Sequence, residues 1–318
     1  MPVQSLVDLR RAFIATYGQL RPLLLAAPAP GFLIAAVAPS WQVNSTYLPL
    51  TPDESSHAVL GRHSNCALRL HGDPSLSLRH LLASAWVDPE TGPTLRLLDL
   101  GGEVPLRLED NSYCVGLQAD GTVFAALRGH AIFCIFDDGE AWPQDAEEAW
   151  SSLGDRAARS REAQRRDGSF DREVRPQLRL IPSVRPSQEE SLTATGTAVI
   201  RLTGTAGLQD IRPGDVEAVG FLRLPGDRFV RLTPEDLARG VVIGRYDRCE
   251  ITDGFSNAKA VSRVHLCLAL DPSGLWAIDL ASSNGTWVED RSIGALRLGR
   301  RLRLSLGTED LVWELNAH

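Results

Sequence analysis

Three clusters of polar residues interrupt apolar segments in the C-terminal third of the chain. They are Gly244-Arg245, Ser262-Arg263-Val264-His265 and Ser282-Ser283-Asn284-Gly285-Thr286. Lys259 is the only lysine in the chain, so almost every cation is an arginine. The planar guanidinium group of arginine matches the oxygen geometry of phosphate and carboxylate groups. The cationic residues of this chain therefore suit anionic ligands, if the fold brings the clusters together.

Each cluster, taken alone, has a simpler explanation. Arg245 fits a surface arginine at the end of a strand, and Ser262 fits a residue that caps a turn. His265 fits a hydrogen-bonded histidine of the core better than a catalytic one. Asn284-Gly285 predicts a hairpin turn, because both residue types tolerate positive φ.

The clusters stand in two regions of short apolar segments separated by Pro, Gly, Asn and Asp. The first region runs from Gly31 to about Phe136, and the second from about Glu217 to Leu315. Many short strands joined by frequent turns predict an all-β chain with β-sandwich domains.

The two regions resemble each other, because several matches recur in the same order and with similar spacing. The matched pairs are Leu50-Thr51-Pro52-Asp53 with Leu232-Thr233-Pro234-Glu235, Gly61-Arg62 with Gly244-Arg245, Cys66 with Cys249, Ser77-Leu78-Arg79-His80 with Ser262-Arg263-Val264-His265, and Leu97-Leu98-Asp99-Leu100 with Ala277-Ile278-Asp279-Leu280. This repetition predicts a duplicated β-sandwich domain of about 100 residues.

The ordered set of clusters in the second region resembles the forkhead-associated (FHA) domain family. The family pattern is Gly-Arg, then Ser-Arg-x-His, then Ser-x-Asn-Gly-Thr, on loops at one end of a β-sandwich. The resemblance covers residues 217–318 well and residues 29–137 only partly. It implies an eleven-stranded sandwich that binds phosphothreonine peptides, and a phosphate of about −1.5 to −2 charges suits arginine and serine donors.

The resemblance also implies roles for individual residues. Arg245 would contact the phosphate with Ser262 and Arg263 beside it, and Asn284 would bond the peptide backbone. The phosphopeptide-binding candidates are Arg245, Ser262, Arg263, Ser283, Asn284 and Gly285. The supporting candidates are Gly244, His265 and Thr286, and the possible peripheral contacts are Arg248, Lys259 and Arg291.

The first region departs from the family pattern. It keeps Gly61-Arg62, but Leu78 replaces the arginine, and Gly101-Gly102-Glu103-Val104-Pro105 replaces the Asn-Gly-Thr loop. Glu103 would place an acid near a bound anion. We therefore predict a degenerate FHA-like sandwich that keeps the fold and has lost phosphate recognition.

The rest of the chain predicts helices and a linker. Ser5 as a helix cap and apolar residues at helical spacing predict a short helix at about residues 6–20. Residues 145–166 predict a solvated helix. The predicted segments are an N-terminal helical segment (1–28), the first sandwich (29–137), a partly helical or disordered linker (138–216) and the FHA domain (217–318).

Composition and absent motifs narrow the function. A net charge of −7 gives no overall attraction to nucleic acid or anionic membranes. Five cysteines without CxxC spacing predict buried free thiols in a reducing cytoplasm and no disulfide framework or metal site. The sequence shows no secretory signal, Walker loop, kinase signature or nucleophile elbow, so we predict a cytoplasmic non-enzyme without cofactors.

These observations predict a phosphothreonine-binding adaptor in Ser/Thr kinase signalling. Its partner would be a phosphothreonine-containing protein, either a Ser/Thr kinase or a kinase substrate. The alternative is a structural scaffold that uses FHA-like sandwiches independently of phosphorylation. The intact Arg245, Ser262 and Asn284 favour the adaptor.

Overall fold

A computed structural model describes residues 7–102, 104–153, 179–180, 218–226 and 228–316. The chain divides into two compact units, Met1–Ile181 and Pro182–His318. Each unit contains a β-sandwich, and the predicted all-β fold with a short N-terminal helix is confirmed. The predicted domain limits remain predictions. Glu103 lies outside the described residues.

Within its described residues, the first unit contains two helices and twelve strands. The helices are α1 (Leu9–Ala26) and α2 (146–153 within the described residues). The strands are β1 (Gly31–Val37), β2 (Val43–Pro49), β3 (Ser56–Gly61), β4 (Leu68–Arg69), β5 (Leu81–Asp88), β6 (Gly92–Asp99), β7 (Leu106–Leu108), β8 (Tyr113–Cys114), β9 (Gly116–Ala119), β10 (Val123–Leu127), β11 (His130–Asp137) and β12 (Arg179–Leu180). Two sheets face each other in the orders β2-β1-β11-β10-β7-β8 and β12-β9-β6-β5-β3-β4.

Strand β1 is buried on both faces of its sheet. Phe32 and Ile34 point into the sandwich core, whereas Leu33 and Ala35 point to the other face and pack with α1. A strand with one solvated face normally alternates between apolar and polar residues. The continuous apolar sequence of β1 is therefore explained by the helix that covers its outer face.

Helix α1 differs from its predicted limits. It begins at Leu9, three residues after the predicted start, because Asp8 is the N-cap and its carboxylate accepts the Arg11 N–H at 3.0 Å. It continues past residue 20 through Pro22 to Ala26, and Leu24 extends the buried face by one turn. The apolar contact with the sheet thus sets the length of the helix.

The described part of helix α2 is partly buried, which differs from the solvated helix predicted for residues 145–166; residues 154–166 lie outside the described residues. Ala149 and Leu153 are buried in the same cluster as α1. The indole of Trp150 stacks on the ring of Phe124, with 4.8 Å between the ring centroids. Among the described residues of α2, the charged Glu147 and Glu148 are exposed.

The described residues of the second unit form ten strands and one short helix. The helix is α3 (Pro234–Arg239). The strands are β13 (Gly220–Leu224), β14 (Arg228–Leu232), β15 (Val241–Ile243), β16 (Leu266–Asp271), β17 (Gly274–Asp279), β18 (Thr286–Val288), β19 (Arg291–Ile293), β20 (Ala295–Arg297), β21 (Arg301–Leu306) and β22 (Glu309–Leu315). The sheet orders are β14-β13-β22-β21-β18-β19 and β15-β16-β17-β20. Their inner faces enclose a core that includes Leu222, Leu268, Leu304 and Trp313.

The second sandwich has one strand fewer than the eleven that the family resemblance implies. In the first unit, β3 and β4 form a short parallel pair at Leu60 and Leu68. At the equivalent place in the second unit, Ile243 and Ile251 form a single parallel bridge. The missing strand is thus reduced to one bridging residue.

All five cysteines are free and buried, which confirms the prediction of buried thiols. Burial raises the pKa of the Cys114 thiol to about 11. Within the described residues, His, Cys, Asp and Glu side chains form no cluster that could hold a metal ion. No described helix combines the length and apolar character that a membrane span requires.

Candidate functional site

The three polar clusters meet at one end of the second sandwich. Gly244-Arg245 follows β15, Ser262-Arg263 precedes β16, and Ser283 to Gly285 joins β17 to β18. The Arg245 N–H donates to the Ser262 carbonyl at 3.3 Å. The Ser283 N–H donates to the Ser262 Oγ at 3.0 Å. Hydrogen bonds therefore join all three loops, with Ser262 in the middle.

Gly244 allows the first two loops to approach closely. A Cβ atom at Gly244 would lie 2.3 Å from the Arg263 carbonyl oxygen. Such a contact is far inside van der Waals distance, so any larger residue would push the loops apart. The same carbonyl accepts the Tyr246 N–H at 3.0 Å. The close approach of the two loops, which positions Arg245, therefore requires glycine at residue 244.

The Arg245 side chain is exposed and held at one point. Its Nε–H donates to the Val261 carbonyl at 3.0 Å. In the part of the chain that the structure describes, its two terminal nitrogens have no hydrogen-bond partner. The guanidinium group is therefore oriented by the protein and keeps donors for a ligand.

Ser262 is 8% exposed at the junction of the loops. Its Oγ accepts one hydrogen bond from the Ser283 N–H. A hydroxyl group that accepts can still donate its own proton. Ser262 can therefore donate a hydrogen bond to an acceptor that enters between the loops.

His265 is fully buried and braces two loops. Its Nδ1 accepts the Ser262 N–H at 2.9 Å, and its Nε2 lies 3.2 Å from the Gly285 carbonyl oxygen. An Nδ1 acceptor leaves the proton on Nε2, which donates to Gly285. Because the Nδ1 lone pair is occupied by a backbone N–H, His265 cannot serve as a base for the Ser262 hydroxyl. The hydrogen bonds of His265 thus link the loop that holds Ser262 to the loop that holds Gly285.

Asp279, at the end of β17, holds the third loop from inside. Its Oδ2 accepts hydrogen bonds from the Ser282 hydroxyl at 2.7 Å and the Thr286 hydroxyl at 2.8 Å. Its Oδ1 accepts the Ser282 N–H at 2.8 Å. Asp279 and Ser282 were absent from the predicted site. An acid three residues before a serine, as in an Asx-type turn, was the available signal.

Asn284 is exposed at the tip of the third loop. Its Nδ2 donates to the Ala260 carbonyl at 2.7 Å, which ties this loop to the segment before Ser262. Gly285 follows with a φ of 74°, a conformation that favours glycine. The amide oxygen of Asn284 has no hydrogen-bond partner among the described residues and can accept one from a peptide N–H.

The remaining predicted residues are not all brought to the loops. Arg263 and Lys259 are exposed beside Ser262. Arg248 is half-buried, with its guanidinium carbon 5.3 Å from the centroid of the Tyr246 ring. Arg291 pairs with Val288 at the far end of the β18–β19 hairpin, away from the three loops.

The first sandwich repeats the framework of this site. Gly61 allows the same close approach of two loops as Gly244. A Cβ atom at Gly61 would lie 2.3 Å from the Leu78 carbonyl oxygen. The Ser77 N–H donates to the Nδ1 of His80 at 3.0 Å. The Nε2 of that histidine lies 2.9 Å from the Val104 carbonyl oxygen. The two domains therefore share one loop architecture, as the repeated sequence predicts.

The first sandwich lacks several side-chain groups that surround the three polar loops of the second sandwich. The close carbonyl belongs to Leu78, where the second sandwich has Arg263. Gly102 donates its N–H to Asp99 as Ser282 does to Asp279, but it has no hydroxyl. The exposed cation and the loop asparagine are thus absent from an otherwise conserved framework.

Comparisons with known proteins found one family match and several similar solved structures. Residues 241–307 match the sequence model of the FHA domain, and no curated protein matches the chain. Among solved structures, the chain is similar to FHA-1 of Rv1747 from Mycobacterium tuberculosis, with 23% identity over 32% of this chain and 100% of that chain and a TM-score of 0.27. It is similar to Mycobacterium tuberculosis EmbR in complex with a low affinity phosphopeptide, with 23% identity over 37% of this chain and 28% of that chain and a TM-score of 0.28.

A third similar structure is an FHA domain from Chlamydia trachomatis, with 22% identity over 31% of this chain and 98% of that chain and a TM-score of 0.26. The sequence match spans β15 to β21 and includes all three polar loops. The C-terminal part of the chain therefore contains an FHA domain, matched over residues 241–307.

Proposed function

We propose that this protein is a phosphothreonine-binding adaptor that reads its ligand with the second sandwich. The observation that carries the proposal is the cluster formed by Arg245, Ser262 and Asn284 on three hydrogen-bonded loops. It combines a guanidinium group, a hydroxyl and an amide, which are the donors and acceptors that a phosphorylated peptide needs.

The phosphate would bind between Arg245 and Ser262. Charge-assisted hydrogen bonds from a guanidinium group to phosphate are among the strong ones in proteins. The Arg245 Nε–H is already fixed by Val261, so less side-chain freedom is lost on binding. The exposed Arg263 would add positive charge beside the same pocket.

The peptide backbone would bind at Asn284. Its Nδ2 donates one proton to the Ala260 carbonyl, and the second proton of this amide group could be donated to a peptide carbonyl. Its amide oxygen would accept a peptide N–H. Together these contacts would hold an extended peptide across the loop between β17 and β18.

The biological partner we propose is a Ser/Thr kinase or a kinase substrate that carries phosphothreonine. This step rests on the chemistry of the ligand, because phosphothreonine is a product of such kinases. An adaptor of this kind would bind its partner only in the phosphorylated state.

A second role, as a phosphate-independent interaction module, is favoured for the first sandwich. It keeps His80, which holds the loops by hydrogen bonds, and Gly61, which allows the loops to approach closely. It has Leu78 where an exposed arginine stands in the second sandwich. A conserved framework without the cation fits a surface that contacts protein without reading phosphate.

The test is a calorimetric titration of the intact protein with a phosphothreonine peptide library and its unphosphorylated counterpart. We expect phosphate-dependent binding that Arg245→Ala abolishes, since hydrogen bonds to charged groups contribute about 1.5–3 kcal/mol each. Arg300→Ala is the matched control, because Arg300 is an exposed arginine between β20 and β21, away from the loops. Equal binding of phosphorylated and unphosphorylated peptides would favour the scaffold role for the whole chain.

A further inference from the structure

Trp287 is a large aromatic side chain exposed beside the candidate site. It is 39% exposed and follows Thr286 in β18. Its Nε1–H donates to the Asn284 carbonyl at 2.9 Å. The indole is therefore attached to the same loop residue that is proposed to hold the peptide backbone.

The exposed part of this indole is apolar. Its single donor is used by Asn284, so the ring offers no further hydrogen bond. Its neighbours across the sheet are small, with Ser305 on β21 and Ser292 on β19. Small neighbours leave the ring uncovered, and water is a poor partner for that surface.

The first sandwich covers the equivalent position. Arg107 on β7 pairs with Ala126 on β10 and Tyr113 on β8. Trp287 on β18 pairs in the same way with Ser305 on β21 and Ser292 on β19. Arg107 is only 8% exposed, and its guanidinium group donates to the Val7 carbonyl at 2.8 Å. The same place in the fold is therefore covered by the chain's own N-terminal stretch in one copy and open in the other.

We infer that Trp287 is a specificity-determining residue that binds an apolar side chain flanking the phosphothreonine of the ligand. The inference rests on the proposed function and names its ligand class: phosphothreonine peptides with an aliphatic or aromatic residue at one flanking position. Tryptophan is enriched among the residues that dominate binding energy. The link to Asn284 places the indole on the path of a peptide held by that residue.

The inference is tested with a phosphothreonine peptide library, randomised on both sides of the phosphothreonine and bound to the intact protein. We expect the wild type to select an aliphatic or aromatic residue at one flanking position. Replacing that residue in the peptide by alanine should weaken binding about tenfold. Trp287→Ala should abolish this preference, and Trp287→Phe should keep most of it because the ring remains.

Phe229→Ala is the matched control. Phe229 is 41% exposed on β14 of the same sheet, with three strands between it and β18. The control should leave the preference unchanged. A wild type that binds phosphothreonine peptides without a flanking apolar preference would overturn the inference and leave the proposed function standing.

Trp287→Ala could also weaken the binding of two peptides equally, the selected peptide and the peptide with alanine at the flanking position. This result would also overturn the inference. Such a loss would show that Trp287 only supports the Asn284 loop. If the wild type bound no phosphothreonine peptide, the proposed function would fail, and the inference with it. The three failures are therefore distinguishable.

Discussion

Asn284 and His265 represent two kinds of side chain at this site, one exposed that would contact a ligand and one buried that holds the loops. Asn284 belongs to the first group, since its side chain is exposed and joins two loops through Ala260. His265 belongs to the second, since it is fully buried between Ser262 and Gly285. Substitutions at these two positions should therefore change different measured quantities.

Asn284→Ala should weaken peptide binding and leave the fold intact. The loss should be about 1–3 kcal/mol, because contacts with the peptide backbone disappear. Isothermal titration with one phosphothreonine peptide measures it, and Asn284→Asp separates the lost donor from the kept acceptor. Unchanged affinity in Asn284→Ala would remove this residue from the site.

His265→Ala should destabilise the second sandwich. The substitution removes two hydrogen bonds and leaves a cavity in a buried position, a loss of about 2–4 kcal/mol. Thermal unfolding followed by circular dichroism measures the decrease in Tm, and His80→Ala should give a comparable decrease in the first sandwich. If His265→Ala kept the Tm and lost only peptide binding, the histidine would have a ligand role.

At the scale of elements, the sequence predicted the strand-rich sandwiches better than it predicted helix limits. The strands around Gly244, Ser262 and Asn284 follow from short apolar runs bounded by turn residues, which are local signals. The end of α1 was not predictable in this way, because Leu24 is buried by a sheet that is distant in sequence. Long-range packing decides such boundaries.

Helix α3 was also missed, although a local signal was present. Thr233 accepts the Asp236 N–H, and the Asp236 carboxylate accepts the Thr233 N–H, which is a capping box followed by a proline in the first turn. The prediction for this region contained strands and turns but no helix. The internal hydrogen bonds of the site, such as Trp287 to Asn284, depend on side-chain positions that sequence does not give.

Thr233→Ala should destabilise α3 and the strand that follows it. Loss of an N-cap side chain decreases stability by about 0.5–2 kcal/mol. Chemical denaturation monitored for the second sandwich measures the effect, with Thr233→Ser as the control that keeps the hydroxyl. Equal stability of the alanine and serine variants would show that the capping box contributes nothing here.

At the scale of the whole molecule, two copies of one framework carry different loop residues. Gly61 and Gly244 allow the same close approach, and His80 and His265 make the same pair of hydrogen bonds. Leu78 stands where the second copy has an exposed arginine. One copy therefore keeps the groups for a phosphate site, and the other keeps mainly their support.

The intact chain should bind one phosphothreonine peptide. Arg62 makes the same type of contact as Arg245, with its Nε–H donating to the Leu76 carbonyl. Alone it should not overcome the ordering cost of a flexible peptide. Titration should give a stoichiometry of about one that Arg62→Ala leaves unchanged. A stoichiometry of two that decreases to one in Arg62→Ala would show a second working site.

The bracing of the loops by backbone atoms and a buried histidine has a consequence for how such domains diverge. Gly244 and His265 lie in the interior of the loop framework, whereas the Arg245 and Asn284 side chains are exposed at its surface. A duplicated copy freed from selection for binding can therefore change its loop tips first while its framework is preserved. In the first sandwich, Gly61 and His80 make the framework contacts of Gly244 and His265, while its loops present different side chains.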